Sequence, residues 1–293
     1  MLLLTGATGL VGSALLSRLL AEGAQVRCLV RDPRRLGAKR VRVQIALGDL
    51  TDPPSFRNAL RGISTVVHLA ASIRDQPRGP IEELNGIATW RMVEAAERSG
   101  VERFVFFSAL EVSTHHRARF FRAKALAEQA VREAHLHSTV FAPSLVYAPG
   151  DPRLTLLERL ALLPVMLVPG RGRAIYQPIW VEDVADCVVA SLRVAAGEPH
   201  TRYELAGPQT LTLNDIVHTA LASLNRKRPL VHVPTPIVSR TLRLLEAIWG
   251  PRAFATWDET ELMEVPMVSA RGVADAERLG VAPQPMAAVL GVG

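Results

Sequence analysis

Short apolar-rich runs alternate with helix-length amphipathic stretches over the first two-thirds of the chain. The runs Met1–Thr5, Gln25–Val30, Val41–Ala46, Thr65–Leu69, Arg103–Ser108 and Ser138–Ala142 read as strands. Between them Leu10–Glu22, Ile81–Ser99 and Ala118–Ala134 read as helices. The last carries apolar residues at 118, 121, 125, 126 and 130, close to a helical repeat. Strands alternating with helices predict an α/β fold built on a doubly wound parallel sheet.

The texture changes after Tyr147. Ala148-Pro-Gly-Asp-Pro is a turn cluster, followed by an apolar helix candidate and the loop Pro169-Gly-Arg-Gly-Arg. Val181–Ala195 reads as a helix opening on Glu182 and Asp183, where the helix dipole favours acids. Short strands and helices follow from about Arg202, one helix starting near Asn214-Asp215. We therefore expect residues 1–147, with 176–196 returning, to form the larger domain. Residues 148–175 and 197–293 are expected to form a smaller C-terminal α/β lobe.

Composition narrows the class without choosing a function. The 293 residues are 48% apolar and 21% charged, which excludes collagen-like, coiled-coil and disordered chains. Leu160–Pro169 is too short to span a bilayer, and Met1-Leu-Leu-Leu lacks a basic leader, so a cytoplasmic protein is expected. Cys28 and Cys187 offer neither metal spacing nor a disulfide framework. Net charge is +6, but the cations are dispersed without interleaved aromatics, against nucleic-acid binding. Only three of the 34 basic residues are lysine: Lys39, Lys124 and Lys227. Lysine and arginine are not interchangeable at chemical sites, so these positions draw attention.

Thr5-Gly-Ala-Thr-Gly-Leu-Val-Gly12 lies between the first strand and the first helix. Glycines at 6, 9 and 12 let the backbone turn tightly and let a pyrophosphate reach the helix N-terminus. A tight turn without ligand is the plain alternative. The G-x-x-G-x-x-G spacing resembles that of extended and atypical short-chain dehydrogenases/reductases. Gly48-Asp-Leu50, His68-Leu-Ala-Ala71, Asn85, Ser108, Val146-Tyr-Ala-Pro-Gly-Asp151 and Gln177-Pro-Ile-Trp-Val-Glu-Asp-Val184 extend the likeness in order. Glu204-Leu-Ala-Gly-Pro208 brings it near the branch containing NmrA-like regulators and the nucleotide-binding accessory subunit of respiratory complex I.

That resemblance implies a Rossmann fold and dinucleotide contacts from Gly6, Thr8, Gly9, Leu10, Val11 and Gly12. It adds Asp49 and Leu50, then Leu69, Ala70 and Ala71, and finally Lys124, Pro143 and Ser144. An NAD-type acid is expected where Val30 stands, with Arg31 beside it. A guanidinium pairs with phosphate, so NADP(H) is favoured over NAD(H), although Asp32 one residue on would reach a ribose. The family pairs a tyrosine with a lysine four residues later, assisted by a serine. Here the sequence reads Phe120-Phe-Arg-Ala-Lys124, with Ser108 upstream. Phenylalanine carries no transferable proton, so the usual acid–base step is missing at that position.

His115, His116 and Tyr147 are candidate substitute acids; each has a plain reading as loop packing or helix entry. Lys124 itself is a candidate base if burial lowers its pKa. The expected functions are an NADP(H)-dependent oxidoreductase with a modified site, or a non-catalytic NADP(H)-binding sensor or scaffold. Sugar-nucleotide epimerase or dehydratase chemistry is a weaker third, because it too needs the tyrosine. Expected partners are the dinucleotide and an unidentified small molecule, with a lipophilic one compatible, or a protein. Pro236–Trp249 is an amphipathic stretch suited to a membrane surface, an apolar partner or packing into the smaller lobe.

Overall fold

The structure is a computed structural model that describes residues 1–194, 198–238, 240–242 and 257–292. Most of the amphipathic stretch from Pro236 to Trp249 therefore lies outside the described residues. Seven parallel strands form the main sheet: β1 (Leu2–Thr5), β2 (Val26–Val30), β3 (Gln44–Leu47), β4 (Thr65–His68), β5 (Arg103–Phe107), β6 (His137–Pro143) and β7 (His200–Leu205). Their spatial order is β7-β6-β5-β4-β1-β2-β3, the doubly wound order that reverses direction between β1 and β4.

Successive side chains of a strand point to opposite faces, and the two cores follow that rule. Leu2, Leu4, Val67 and Val105 face α1 (Leu10–Ala21) and α5 (Val181–Arg193). Leu3, Val66, Phe104 and Phe106 face α2 (Ala88–Arg98) and α3 (Arg119–Glu133). Both faces are covered, so the central strands are apolar throughout.

The smaller lobe contains α4 (Pro152–Leu160), α6 (Leu213–Ser223) and a parallel ribbon of Met166–Pro169 with Leu230–Val233. Asp151 caps α4 through the Arg153 and Leu154 N–H groups at 2.7 and 2.9 Å. Thr212 and Asp215 form a reciprocal capping box on α6.

Three boundaries differ from the expectation. His200–Leu205 falls within the expected smaller lobe, but it pairs with β6 through six registered positions and completes the main sheet. The third strand begins at Gln44, because Pro33–Arg42 is taken up in 3₁₀ turns around Gly37. The helix expected from Ile81 opens with a π-helical turn at Glu83–Ile87 before becoming α-helical. No described helix is long and apolar enough to cross a membrane.

Candidate functional site

The glycine turn is shaped by contacts that leave no room for side chains. Gly6 has φ +70°, and a Cβ there would lie 2.6 Å from the Ala70 nitrogen. A Cβ on Gly12 would lie 2.1 Å from the Gly6 carbonyl oxygen. Gly9 is the N-cap of α1, and its own N–H donates to Gly6 O at 2.9 Å. Neither an acid nor a side-chain cap occupies the first turn of α1, so the positive end of the helix dipole is unneutralised. Thr8, Leu10 and Val11 lie among these glycines, and an uncapped helix N-terminus is chemically suited to an anionic group such as a pyrophosphate.

Behind the turn runs a buried polar chain. Thr89 donates its hydroxyl hydrogen to Asn85 O at 2.6 Å, so it accepts from His68 Nε2 at 3.1 Å. The proton of His68 therefore sits on Nε2, and Nδ1 accepts from Thr5 Oγ1 at 3.0 Å. Thr5 Oγ1 in turn accepts from the Ala70 N–H at 3.3 Å, tying Leu69, Ala70 and Ala71 to the end of β1. Asn85 holds the next segment, accepting from Ser72 N at 3.0 Å and donating to Ser72 O and Ile81 O.

Burial, with the Lys124 charge second, pushes the His68 pKa from 6.5 down to about 3. The unfolded imidazole takes up its proton near 6.5 and the folded one only near 3. Acidification through that window should therefore lower stability by a few kcal/mol, on the order expected for such a shift. Urea midpoints measured from neutral to acid pH will check this, and the slope should flatten in His68→Gln.

Just past β2, Asp32 is already committed. It accepts from the Arg34 backbone N–H at 3.0 Å and from the Arg34 guanidinium at 2.9 Å. Those bonds hold its carboxyl below the usual range. Arg31, one residue before, is exposed and has no ion pair among the described residues. Lys39 donates to Ser13 O and Ser13 Oγ at 2.8 and 3.0 Å, fastening the 3₁₀ segment to the first turns of α1. Asp49 accepts from Thr51 and pairs with Arg78. Burial raises its pKa, but those partners outweigh it and the carboxyl titrates low. Leu50 is half-buried beside it.

Lys124 is the most unusual group in the site. It is 2% exposed, donates to Phe107 O at 2.5 Å and lies 4.8 Å from the Phe106 ring centre. The Phe120 ring is 6.0 Å away, where the resemblance would place a phenol. Desolvation brings its pKa from 10.5 down to about 7, against an opposing pull from Glu128. Ser108 does not face open space: its hydroxyl donates to Glu128 Oε2 at 2.6 Å, and Glu128 pairs with Arg202 at 3.1 Å.

Other candidates are likewise engaged. Ser144 donates to Met267 O at 2.7 Å and accepts from Gln177 N, and Pro143 pairs with Leu205 at the end of β6. His116 Nδ1 accepts the Ala118 N–H at 3.0 Å just ahead of α3, while exposed His115 touches Thr114. Tyr147 is buried with an unpartnered hydroxyl, and burial raises its pKa further from neutrality.

The C-terminal segment adds contacts around Phe120 that no motif announces. Arg74 pairs with Glu259 at 2.5 Å and Arg117 with Glu264 at 3.4 Å, so the segment after the undescribed residues closes over Phe120. Alongside them Ala109, Phe120, Phe121, Val265 and Met267 make an apolar wall. The sequence signal is a cluster of four acids, Asp258, Glu259, Glu261 and Glu264.

Three comparisons place the chain. A complex I subunit of Arabidopsis thaliana, "NADH dehydrogenase [ubiquinone] 1 alpha subcomplex subunit 9", is 28% identical over 260 residues, 85% of this chain. This chain spans only 62% of that protein's length. A ceramide reductase of Caulobacter vibrioides is 28% identical over 272 residues, covering 89% of this chain and 83% of its own. A nucleoside-diphosphate-sugar epimerase from Staphylococcus aureus superposes with TM-score 0.80 at 18% identity, over 99% of both chains, a likeness of fold. Residues 2–206 match the NAD dependent epimerase/dehydratase family. With its doubly wound sheet and glycine turn, the chain belongs to that family of nicotinamide-dinucleotide-binding, extended short-chain dehydrogenase/reductase-like proteins.

Proposed function

We propose that the chain is an NADP(H)-dependent reductase of a lipophilic carbonyl or quinone-like substrate, with Lys124 holding the proton that a tyrosine would otherwise deliver. The observation that carries this reading is the buried Lys124 ammonium beside a phenyl ring, with its pKa near 7. When bound, the reduced nicotinamide supplies the hydride. Lys124 supplies the proton to the substrate oxygen and regains one from solvent, which a group titrating near the working pH does efficiently. Phe106 and Phe120 flank the ammonium, and the partly buried Phe120, Leu262 and Met267 offer apolar surface to a substrate. A relative named for ceramide reduction supports a lipophilic ligand.

Arg31 supports the choice of NADP(H), since its neighbour Asp32 is spent on Arg34. Charge-assisted contacts to phosphate contribute about 1.5–3 kcal/mol, so Arg31→Glu should weaken NADPH binding by roughly 10–100-fold. NADH binding should change little. Fluorescence titration with both cofactors measures this, and equal loss for the two would sink the NADP assignment.

A second reading, a non-catalytic NADP(H)-binding protein, is favoured by one observation: Ser108 donates to Glu128 rather than standing free for a substrate. Turnover decides between them. Purified protein with NADPH is screened against quinones, enones and long-chain ketones. Saturable oxidation that disappears in Lys124→Met supports the reductase. Tight NADPH binding with no turnover of any class supports the second reading.

A further inference from the structure

The smaller lobe presents a face that none of this chemistry uses. The turn after α4 leaves Leu162 67% and Leu163 45% exposed. Beside it the parallel ribbon sets Leu167 opposite Val231, and both face solvent. Met166 and Val168 alternate with Leu167 and are buried in the lobe's core. Parallel strands normally have both faces covered, and here the outer face with Leu167 and Val231 is left bare.

Cations frame the apolar centre. Arg226 and Arg228 both donate to Ala161 O, at 3.1 and 3.2 Å, which fixes two guanidinium groups next to Leu162. Lys227 and Arg159 are exposed without an ion pair among the described residues. The asymmetry is large in sequence as well. Stretches 152–180 and 216–245 hold nine basic residues and one acid, Glu158. The asymmetry belongs to those two stretches and not to the smaller lobe as a whole, whose C-terminal part brings Asp258, Glu259, Glu261 and Glu264.

We propose that this face docks the protein on an anionic phospholipid surface. Arginine and lysine meet the headgroup phosphates while the leucines enter the interfacial layer, the combination that binds peripheral proteins to membranes. A second copy of the chain would instead bring two strongly cationic faces together, which like-charge repulsion opposes. The face also runs on to the cleft. The ribbon ends at Val233, Thr235 donates to Glu264, and Glu264 pairs with Arg117 just ahead of Phe120.

Flotation of the intact protein with vesicles tests the proposal, using phosphatidylcholine alone and the same lipid with about a third phosphatidylglycerol. Binding to the anionic vesicles only, weakened by salt, is expected. Each cation near such a surface contributes about fivefold in affinity, so Arg159→Glu with Lys227→Glu should lower binding by at least about tenfold. That pair leaves the Arg226 and Arg228 bonds to Ala161 intact, and a circular dichroism melt confirms its fold. Leu167→Glu with Val231→Glu should also abolish binding. Equal binding to neutral vesicles, no binding at low salt, or unchanged binding in the double variants overturns the proposal. So does a dimer in sedimentation that Leu167→Glu dissociates, since the face would then be a contact between copies.

Discussion

Gly12→Ala is expected to abolish dinucleotide binding and to destabilise the fold by roughly 2–3 kcal/mol or more. Gly12 lies inside α1, where alanine alone would add up to about 1 kcal/mol of helix propensity. Sterics reverse the sign. The added Cβ would sit 2.1 Å from Gly6 O, 2.7 Å from Gly6 C and 2.9 Å from the Ala7 Cα. All three are backbone atoms of the turn, so no side chain can swing aside, and the turn must open. Gly9→Ala is the informative contrast, because its Cβ meets only Gly6 O at 3.3 Å. It should keep the melting temperature nearly unchanged while still obstructing approach of a phosphate. Urea unfolding and NADPH titration of both variants will check this. Similar stability losses in the two would show that the turn tolerates neither for reasons other than the contact.

The second large effect concerns Lys124. In Lys124→Met, turnover should fall by about 10²–10⁴-fold, the range for losing a positioned proton donor. Stability should not fall with it, because the variant removes a desolvated ammonium and keeps a similar apolar stem. The pH dependence separates this outcome from general damage. Unfolded lysine keeps its proton up to about 10.5, whereas the folded group gives it up at about 7. Between those values the unfolded state binds more protons, so raising the pH stabilises the wild type. In Lys124→Met that gain should vanish, and the difference between the two proteins' stabilities should be largest below pH 7 and shrink above it. A variant less stable than wild type at pH 6 would contradict the burial argument. Phe120→Tyr, which adds a hydroxyl to a ring whose centre lies 6.0 Å from the ammonium, should raise carbonyl reduction and leave the fold unchanged.

How much of this was legible in sequence depends on how local the cause was. The glycine turn and the six strands up to Ala142 are set by short-range patterns and emerge from them, whereas the Phe120–Lys124 pair stands out only through the family resemblance. β7 did not, because His-Thr-Arg-Tyr-Glu-Leu lacks an apolar run. It is held at the edge of the sheet by Arg202 and Glu204, whose partners Glu128, Ser269 and Asp275 are 65 or more residues away. The role of Ser108 was hidden for a related reason: a serine after a strand says nothing about which carboxylate it will meet. Yet Glu128 was within reach of inference. It stands four residues after Lys124, and the spacing that aligns 120 with 124 aligns 124 with 128. The ion pairs of Arg74 and Arg117 with the C-terminal acids are pure tertiary contacts, and only the clustering of those acids hinted at them.

The other end of the sheet has a consequence of its own. β3 is the last strand on that side, and Val41, Ile45 and Leu47 beside its open edge are 82%, 41% and 63% exposed. Unpaired backbone donors and acceptors along such a strand are a template on which another molecule's strand can add. Lys39, Arg40 and Arg42 stand immediately ahead of it, so any two molecules meeting edge to edge bring six cations together. Charge rather than the shape of the strand therefore opposes edge-to-edge pairing here, and its range contracts as ionic strength rises.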